Sequence, residues 1–446
     1  MADILIASHS PIGHIGPLLN VAYGLVGRGD RVTVLTSAQH TDAIRASGAV
    51  PVALPDAGDP DADRLDIENP KRARTSGIAR INVDIVAFFV APMAHQADAL
   101  AKLLAQHRFD AVIADYGFFG ILPFLLGNRA DRPPFLTYST TPLMLSSRDT
   151  APAGLGLPPP RHAVERLRNR ALETLTHKVL LRASQRAVQE QLHRMNCRPL
   201  PVFLFDGAVL SERVIAPTVP QFDYHRSDLP KNVRYVGAVH PMPSQGFRRP
   251  MWWRLLDGDR PVVHVTQGTV DNTDLTRLLE PTLEALADED VVVIASTGGR
   301  DLDVLRTPVP ANTYVAKYIP HDLLMPKVDV LVTNGGYGTV QRALSCGVPL
   351  VVAGKTEDKP EVAARVAWSG AGIDLRTGTP TPAAIRDAVR EVLTDKRYLS
   401  RARTLEAAFA QRDGVAEIIA LVDEVIAERR AEVGGELACE VTHEQR

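Results

Sequence analysis

The sequence predicts an α/β protein built from two doubly wound, Rossmann-like domains of parallel sheet that face each other across a cleft. Three observations carry this. The chain has 446 residues, more than one hydrophobic core organises. Its apolar runs are short and nearly continuous, as strands covered on both faces are. Helical stretches and glycine-bearing turns separate these runs in both halves, as βαβ units require.

In the first half, Ile4 to Ser8 reads as an apolar strand, Pro17 to Gly27 as a helix and Arg31 to Thr36 as a β-branched strand. Ala111 to Ala114 and Phe135 to Tyr138 are further strands, each bounded by charge, Gly or Pro. From Ala151 to Pro160 the chain is rich in Pro and Gly and reads as loop. The arginine-rich helical stretch Arg161 to Asn196 reads as a solvated face in preference to a lipid- or phosphate-binding patch. Residues 239–250, with Pro241, Pro243, Gly246 and Pro250, are the linker candidate, which sets an N-terminal domain at 1–238 and a C-terminal domain at 251–446. In the latter the pattern restarts with strands Val262 to Thr266, Val291 to Ser296, Val328 to Thr333 and Leu350 to Ala353. Helices Arg386 to Leu393 and Val415 to about Arg430 close the chain, and the polar tail after Gly434 reads as frayed.

Bulk properties narrow the function. A formal net charge of −2 gives no field that would recruit nucleic acid or an acidic membrane. Cys197, Cys346 and Cys439 lie too far apart for a disulfide framework or zinc-ligand spacing, which fits a reducing, cytoplasmic compartment. The N-terminus lacks the basic n-region of a secretory signal. No transmembrane segment is expected: the longest apolar-rich stretch, near Phe118 to Gly127, is too short. Asp-x-Asp spacings at Asp257 to Asp259 and Asp301 to Asp303 recur elsewhere, as at Asp59 to Asp61, so no metal site is read from them.

The second half carries a phosphate-binding pattern. Asn334-Gly335-Gly336-Tyr337-Gly338-Thr339 links the strand ending at Thr333 to the helix Val340 to Ser345. Glycines there let a ligand approach the backbone, and the first helical turn offers unpaired N–H groups and a positive dipole end. Gln267-Gly268-Thr269 forms a second small-residue turn at the carboxyl edge of the same sheet, where ligands of such sheets bind. A dehydrogenase is disfavoured. The first turn, Ser10 to Gly16, lacks G-x-G-x-x-G spacing, and the second strand ends in Thr36-Ser37 without a carboxylate for a ribose.

From Tyr318-Ile319-Pro320-His321 to Asp358-Lys359-Pro360 the chain resembles the donor-binding signature of inverting GT-B glycosyltransferases. It is nearest to the macrolide and natural-product enzymes of bacteria, relatives of the UDP-glucuronosyltransferases. The resemblance is close over about 261–375 and looser in the N-terminal half. It implies a GT-B fold whose C-terminal helices pack back on the first domain. Its substrates would be a nucleotide sugar, UDP-glucose ahead of a TDP-sugar, and a hydrophobic acceptor, with no cofactor beyond that co-substrate. Tyr318 would stack on the base and the Ile319 backbone would pair with its edge. His321 would meet the ribose. Gly268, Thr269, Gly335, Gly336, Gly338 and Thr339 would meet the diphosphate, and Asp358 the sugar hydroxyls. Two positions depart from the pattern: Asn334 stands where the family has a phosphate-contacting His, and Lys359 where it has Gln.

Inverting transfer needs a base. His14, in Gly13-His14-Ile15-Gly16-Pro17 after the first strand, has a suitable ordinary pKa, and Asp115 at the end of Ala111 to Ala114 would orient it. The resemblance supports both assignments. Phe88, Phe89, Phe118, Phe119, Tyr138 and Met144 are candidates to line an apolar acceptor pocket. The alternatives are a nucleotide-sugar epimerase or hydrolase on the same scaffold, and a non-catalytic nucleotide-sugar-binding protein.

Overall fold

The computed structural model describes residues 1–60, 74–244, 246–269 and 271–444. Seven parallel strands form the first sheet: β1 (Asp3–Ala7), β2 (Arg31–Thr36), β3 (Val50–Ala53), β4 (Ala111–Asp115), β5 (Phe135–Tyr138), β6 (Arg213–Ala216) and β7 (Val233–Tyr235). Their order is β3-β2-β1-β4-β5-β6-β7. Six more form the second: β8 (Val262–Thr266), β9 (Val292–Ser296), β10 (Thr313–Ala316), β11 (Val330–Thr333), β12 (Leu350–Val352) and β13 (Gly372–Asp374), in the order β10-β9-β8-β11-β12-β13. All of these pairs are parallel too. Together they make the two-sheet α/β architecture of the GT-B fold.

In each sheet the chain reverses its winding at one junction, β1/β4 in the first and β8/β11 in the second. Loops diverge there and leave a crevice at the carboxyl edge. Register decides which residues meet in it. Ala7 pairs with Ala114, which brings the turn after β1 beside Asp115. Thr266 pairs with Thr333, which brings Gln267-Gly268 beside Asn334-Gly335.

The layers are held by burial on both faces of each sheet. Leu5, Ala7, Val112 and Phe135 face one way, into a cluster with Met93, Leu100 and Leu192. Ile4, Ile6, Ile113 and Leu136 face the other, against Ile15, Leu18 and Val21 of the helix Ile12–Gly27. The last helix, Gly414–Glu444, brings Ile418, Val422, Val425 and Ile426 into this same cluster, so the first part of that helix packs on the first sheet. It continues past Gly434 and Gly435, where the sequence reads as frayed. Good helix formers at Glu436, Leu437 and Ala438 outweigh the two glycines.

Two helix starts differ from expectation, and both matter for the site. The first helix begins at Ile12, not Pro17, so Pro17 lies inside it and His14 sits in its first turn. The proline's missing N–H costs one helical bond one turn in, near the end, where fewest are lost. The helix after β11 begins at Tyr337, not Val340, so Gly338 and Thr339 are helical. The longest apolar stretch also lies elsewhere than expected. The helical run Gly77–Gln106 has a mean hydropathy of 1.5 and is long and apolar enough to cross a membrane. Here its second part packs against the first sheet through Met93, Ala97, Leu100 and Leu103.

Candidate active site

Asp115 ends β4 with its side chain fully buried. Its Oδ2 accepts from the His9 backbone N–H at 3.2 Å and from His14 Nδ1–H at 2.7 Å. Its Oδ1 accepts from the Gly117 N–H at 3.0 Å and from the Thr140 hydroxyl at 3.4 Å. Burial alone would raise the carboxyl pKa, but His14 and these donors reverse that, and it lies below the ordinary carboxylate range. Because Nδ1 carries the proton that Asp115 binds, Nε2 of His14 is left with a lone pair. The His14 side chain is 21% exposed, the accessible half of a pair whose other half is sealed. Burial pulls the His14 pKa down. The charge and hydrogen bond of Asp115, with the charges of Asp358 and Glu357 from the second half, overcome it and leave the pKa above its ordinary value of 6.5.

His9, five residues earlier, is the residue most easily confused with this base. It is fully buried and stacks on Phe88 at 5.1 Å, and its Nε2 donates to the Gly117 carbonyl at 2.7 Å. Burial holds its pKa down, so it is a neutral spacer that shapes the Asp115 loop. Of the aromatic residues named for an acceptor pocket, Phe118, Phe119 and Tyr138 are buried in the core. The strand and turn that carry them point inward, which leaves Phe88, Phe89 and Met144 as the partly open ones.

The facing wall is built at the β8/β11 junction. Val340 N–H is the first in its helix to find a backbone partner, the Gly336 carbonyl at 3.0 Å. The N–H groups of Tyr337, Gly338 and Thr339 therefore point out unspent, an anion-binding terminus. A Cβ at Gly336 or Gly338 would meet no atom within 4 Å, so the space above the turn is open. Gly335 (φ 92°) and Gly268 (φ 72°) take the left-handed backbone that glycine favours. Thr269 is exposed and Thr339 half-exposed beside this opening. Tyr318 is 61% exposed, with its ring free for stacking, while the Ile319 side chain is buried and anchors the same turn.

Three predicted donor contacts have internal partners. Asn334 donates its amide to the Gln267 carbonyl at 2.6 Å and so fastens the two phosphate turns together, while its Oδ1 is buried without a partner. His321 Nε2 lies 3.3 Å from His264 Nε2, and His264 Nδ1 donates to the Ile294 carbonyl at 2.8 Å. His321 must then be the donor of the His–His pair, which leaves its Nδ1 to accept from a hydroxyl instead of donating to one. Burial pushes its pKa down to about 3, so it stays neutral. Lys359 is buried and pairs with Glu357, and its Nζ is 3.7 Å from Asp271 Oδ2. Its charge is neutralised within the loop. Glu357 has a left-handed φ of 54°, a strained setting for a residue with a Cβ, immediately before Asp358. Burial raises the Asp358 carboxyl to about 6, against the opposing pull of Lys359.

Sequence reasoning missed the frame around these groups. Thr140 approaches both members of the His–Asp pair. The helix Lys359–Ser369, which starts directly after Asp358, carries Glu361 and Arg365. Glu361 accepts from the N–H groups of Gly154 (2.9 Å) and Gly156 (2.8 Å), in the Pro- and Gly-rich loop of the first half. Arg365 is buried between Glu361 (2.8 Å) and Asp223 (2.9 Å). Two of the Asp-x-Asp acids noted above are occupied by lysines: Lys327 on Asp257 at 2.6 Å, and Lys317 on Asp301. Asp61 lies outside the described residues.

The two sheet edges thus carry a His–Asp pair and an open helix N-terminus, an arrangement compatible with a GT-B glycosyltransferase. Comparison with known proteins gives the same class. Residues 280–425 match the family described as the C-terminal domain of erythromycin biosynthesis protein CIII-like proteins. The chain is 40% identical over 429 residues to 4'-demethylrebeccamycin synthase of Lentzea aerocolonigenes, covering 95% of this chain and 100% of that one. It is 35% identical over 444 residues to UDP-glycosyltransferase 2 of Phaeomoniella chlamydospora, covering 95% and 96%. Among solved structures, the glycotransferase of kitacinnamycin superposes with a TM-score of 0.71 at 23% identity, covering 95% and 99%. The spinosyn rhamnosyltransferase complexed with thymidine diphosphate superposes at 0.65 and 16% identity, covering 95% and 100%. The chain belongs to the natural-product glycosyltransferases of the GT-B fold.

Proposed function

We propose that this glycosyltransferase is an inverting one, in which His14 and Asp115 are the catalytic dyad and a nucleoside diphosphate sugar is the donor. The observation that carries the proposal is the 2.7 Å bond from His14 Nδ1 to Asp115, which leaves the lone pair of Nε2 free on a side chain that is 21% exposed. An acceptor hydroxyl gives its proton to Nε2 as its oxygen attacks the anomeric carbon from the face opposite the diphosphate. The bond from that carbon to the phosphate oxygen breaks, and the electron pair leaves with the diphosphate. The unspent N–H groups of Tyr337, Gly338 and Thr339, with the Thr339 hydroxyl, receive the developing charge. Asp358 accepts from sugar hydroxyls, and Tyr318 stacks on the base. No metal or further cofactor is needed in this scheme.

UDP-glucose is the donor we favour over a TDP-sugar, because the relatives above 30% identity include one named as a UDP-glycosyltransferase and two named as UDP-glucosyltransferases. The acceptor is a hydroxyl-bearing apolar small molecule, admitted beside Phe88, Phe89 and Met144. We assign acceptor binding to residues 1–238 and donor binding to 251–446, with 239–250 between them. Two measurements without added metal test this. Thermal stabilisation by UDP, TDP and their sugars identifies the donor. Product mass and anomeric configuration then follow with the stabilising donor and a panel of aromatic and polyketide alcohols. Stabilisation by neither nucleotide would refute the donor site. Donor turnover without acceptor, or a retained anomeric configuration, would refute inverting transfer.

A further inference from the structure

The arginine-rich helix in the first half is turned inside out. Over Ala163–Leu175 and its continuation Thr176–Leu180, the two buried side chains are polar, Asn169 at 2% exposed and Thr176 at 7%, beside half-buried Leu172 and Leu180. The exposed side carries an apolar stripe among Arg166, Arg168, Arg170 and Lys178. Val164 is 73% exposed, Leu167 68%, Leu175 42% and Val179 61%, and with exposed Ala171 they recur every three or four residues in one stripe. An ordinary surface helix has the opposite polarity.

Basic residues surround the stripe. Residues 161–182 hold six Lys and Arg against two acids, in a chain whose total is −2. Arg166, Arg170, Lys178 and Arg182 are all exposed. None of these four has an ion-pair partner among the described residues. The two acids are elsewhere engaged: Glu165 caps the Arg161 N–H at 2.6 Å, and Glu173 is half-buried on the inner side. The neighbouring helix Gly77–Ile85 is tied to this one by Asn82, which donates to the Leu180 carbonyl at 2.6 Å. It adds Ile78 (41% exposed) and Ile81 (45%) near the joint.

We propose that this face is a membrane-docking surface, which lies flat on an anionic lipid bilayer with the apolar stripe in the headgroup–acyl boundary and the Lys and Arg side chains at the phosphates. The charge chooses the occupant. A second copy of the same face would bring the two sets of cations together, whereas an anionic bilayer neutralises them. From Val164 to Val179 the stripe is about 22 Å long at helical rise, enough to lie along the interface but not to span it.

The test is co-sedimentation of the whole protein with vesicles of phosphatidylcholine alone and of phosphatidylcholine mixed with phosphatidylglycerol. The variants are Leu167→Ser/Val179→Ser and Lys178→Glu/Arg182→Glu. All four side chains are exposed, so both variants keep the wild-type melting temperature. Wild type pellets with the mixed vesicles and not with the neutral ones, and raised salt weakens it. Loss of the two cations alone lowers partitioning on the order of 25-fold at roughly fivefold each, the two acids that replace them lower it further, and the serine variant lowers it about tenfold or more. No pelleting with either vesicle, or equal pelleting with both, would overturn the proposal. So would a wild-type dimer that the serine variant dissolves, because the face would then be an interface between copies.

Discussion

Replacing Asp115 by Asn tests the dyad at its sealed half. The carboxylate accepts from four donors: the His9 and Gly117 N–H groups, His14 Nδ1–H and the Thr140 hydroxyl. An amide keeps the shape but has one accepting end. Turned either way, its NH2 faces at least one buried N–H, and an unmet buried donor costs about 1–3 kcal/mol. For a domain of this size that lowers Tm by roughly 2–12 °C. The rate effect is larger. Without the carboxylate nothing stabilises the imidazolium, and Nδ1 can give up its proton to accept from the amide, which puts the proton on Nε2 and abolishes the base. General-base catalysis is worth about 10²–10⁴-fold, so kcat falls by that factor while donor affinity, set in the other half, stays within about twofold. The pH profile supplies a second readout. In the wild type kcat/KM rises with pH as His14 loses its proton, with a midpoint above 6.5 because the net shift is upward. The Asp115→Asn change removes the largest raising influence, so burial prevails and the midpoint of the residual activity moves down. Sugar transfer from the stabilising donor, followed by chromatography from pH 5 to 9, measures both. More than a tenth of wild-type kcat with an unmoved midpoint would refute the dyad.

Two further outcomes follow from the donor side. Ala at Gly336 or Gly338 meets no protein atom within 4 Å, so Tm is unchanged while nucleotide affinity falls about tenfold or more by calorimetry. Ala at Gly354, whose Cβ would sit 1.9 Å from the Asn334 carbonyl oxygen, instead unfolds the site, and equal behaviour of the two classes would be inconsistent with this. If Asp358, with its carboxyl raised to about 6, holds the sugar hydroxyls as proposed, it accepts from them more strongly when ionised, so donor-sugar affinity strengthens as pH rises through about 6. Lys359→Gln, which removes a cation that lowers this pKa, moves the midpoint upward, and a flat affinity profile between pH 5 and 7 would exclude the role.

What was legible in the sequence followed from local chemistry. The eight-residue window Asn334 to Gln341 announces its turn and helix because glycine, a free N–H terminus and an apolar inner face are all sequence-local. The central strands β1, β4, β8 and β11 are apolar runs buried on both faces, and they read as such. β3, β7, β10 and β13 did not, because they are three- or four-residue strands that each close a sheet edge and carry partly exposed positions. β6 failed for a different reason: it opens with Arg213, whose guanidinium is drawn to Glu424 and Glu428 of the last helix, more than 200 residues away. The helix start at Ile12 was hidden by Pro17, which argues locally for an N-terminus that tertiary packing of Ile15 and Leu18 overrides.

The roles of Asn334 and Lys359 depend on the same distinction. In sequence each is a departure at a ligand-contacting position, and Lys359 places a charge beside the sugar. In the structure Asn334 clamps Gln267, and Lys359 sits between Glu357 and Asp271, whose carboxylate is also held by Thr356 (2.6 Å) and Arg277 (2.9 Å). Both substitutions therefore act on the shape of the two donor turns more than on their charge. The helix that begins after Asp358 then carries that shape onward. Its Glu361 fixes the backbone of Gly154 and Gly156, and its Arg365 is locked to Asp223 of the first half. Breaking a buried pair of this kind costs about 3–5 kcal/mol, which ties the helix firmly to Asp223 of the first half. The carboxylate proposed for the donor sugar and a loop of the first half are thus joined through one helix, and the pairings that join them span more than 140 residues, beyond the reach of any local pattern.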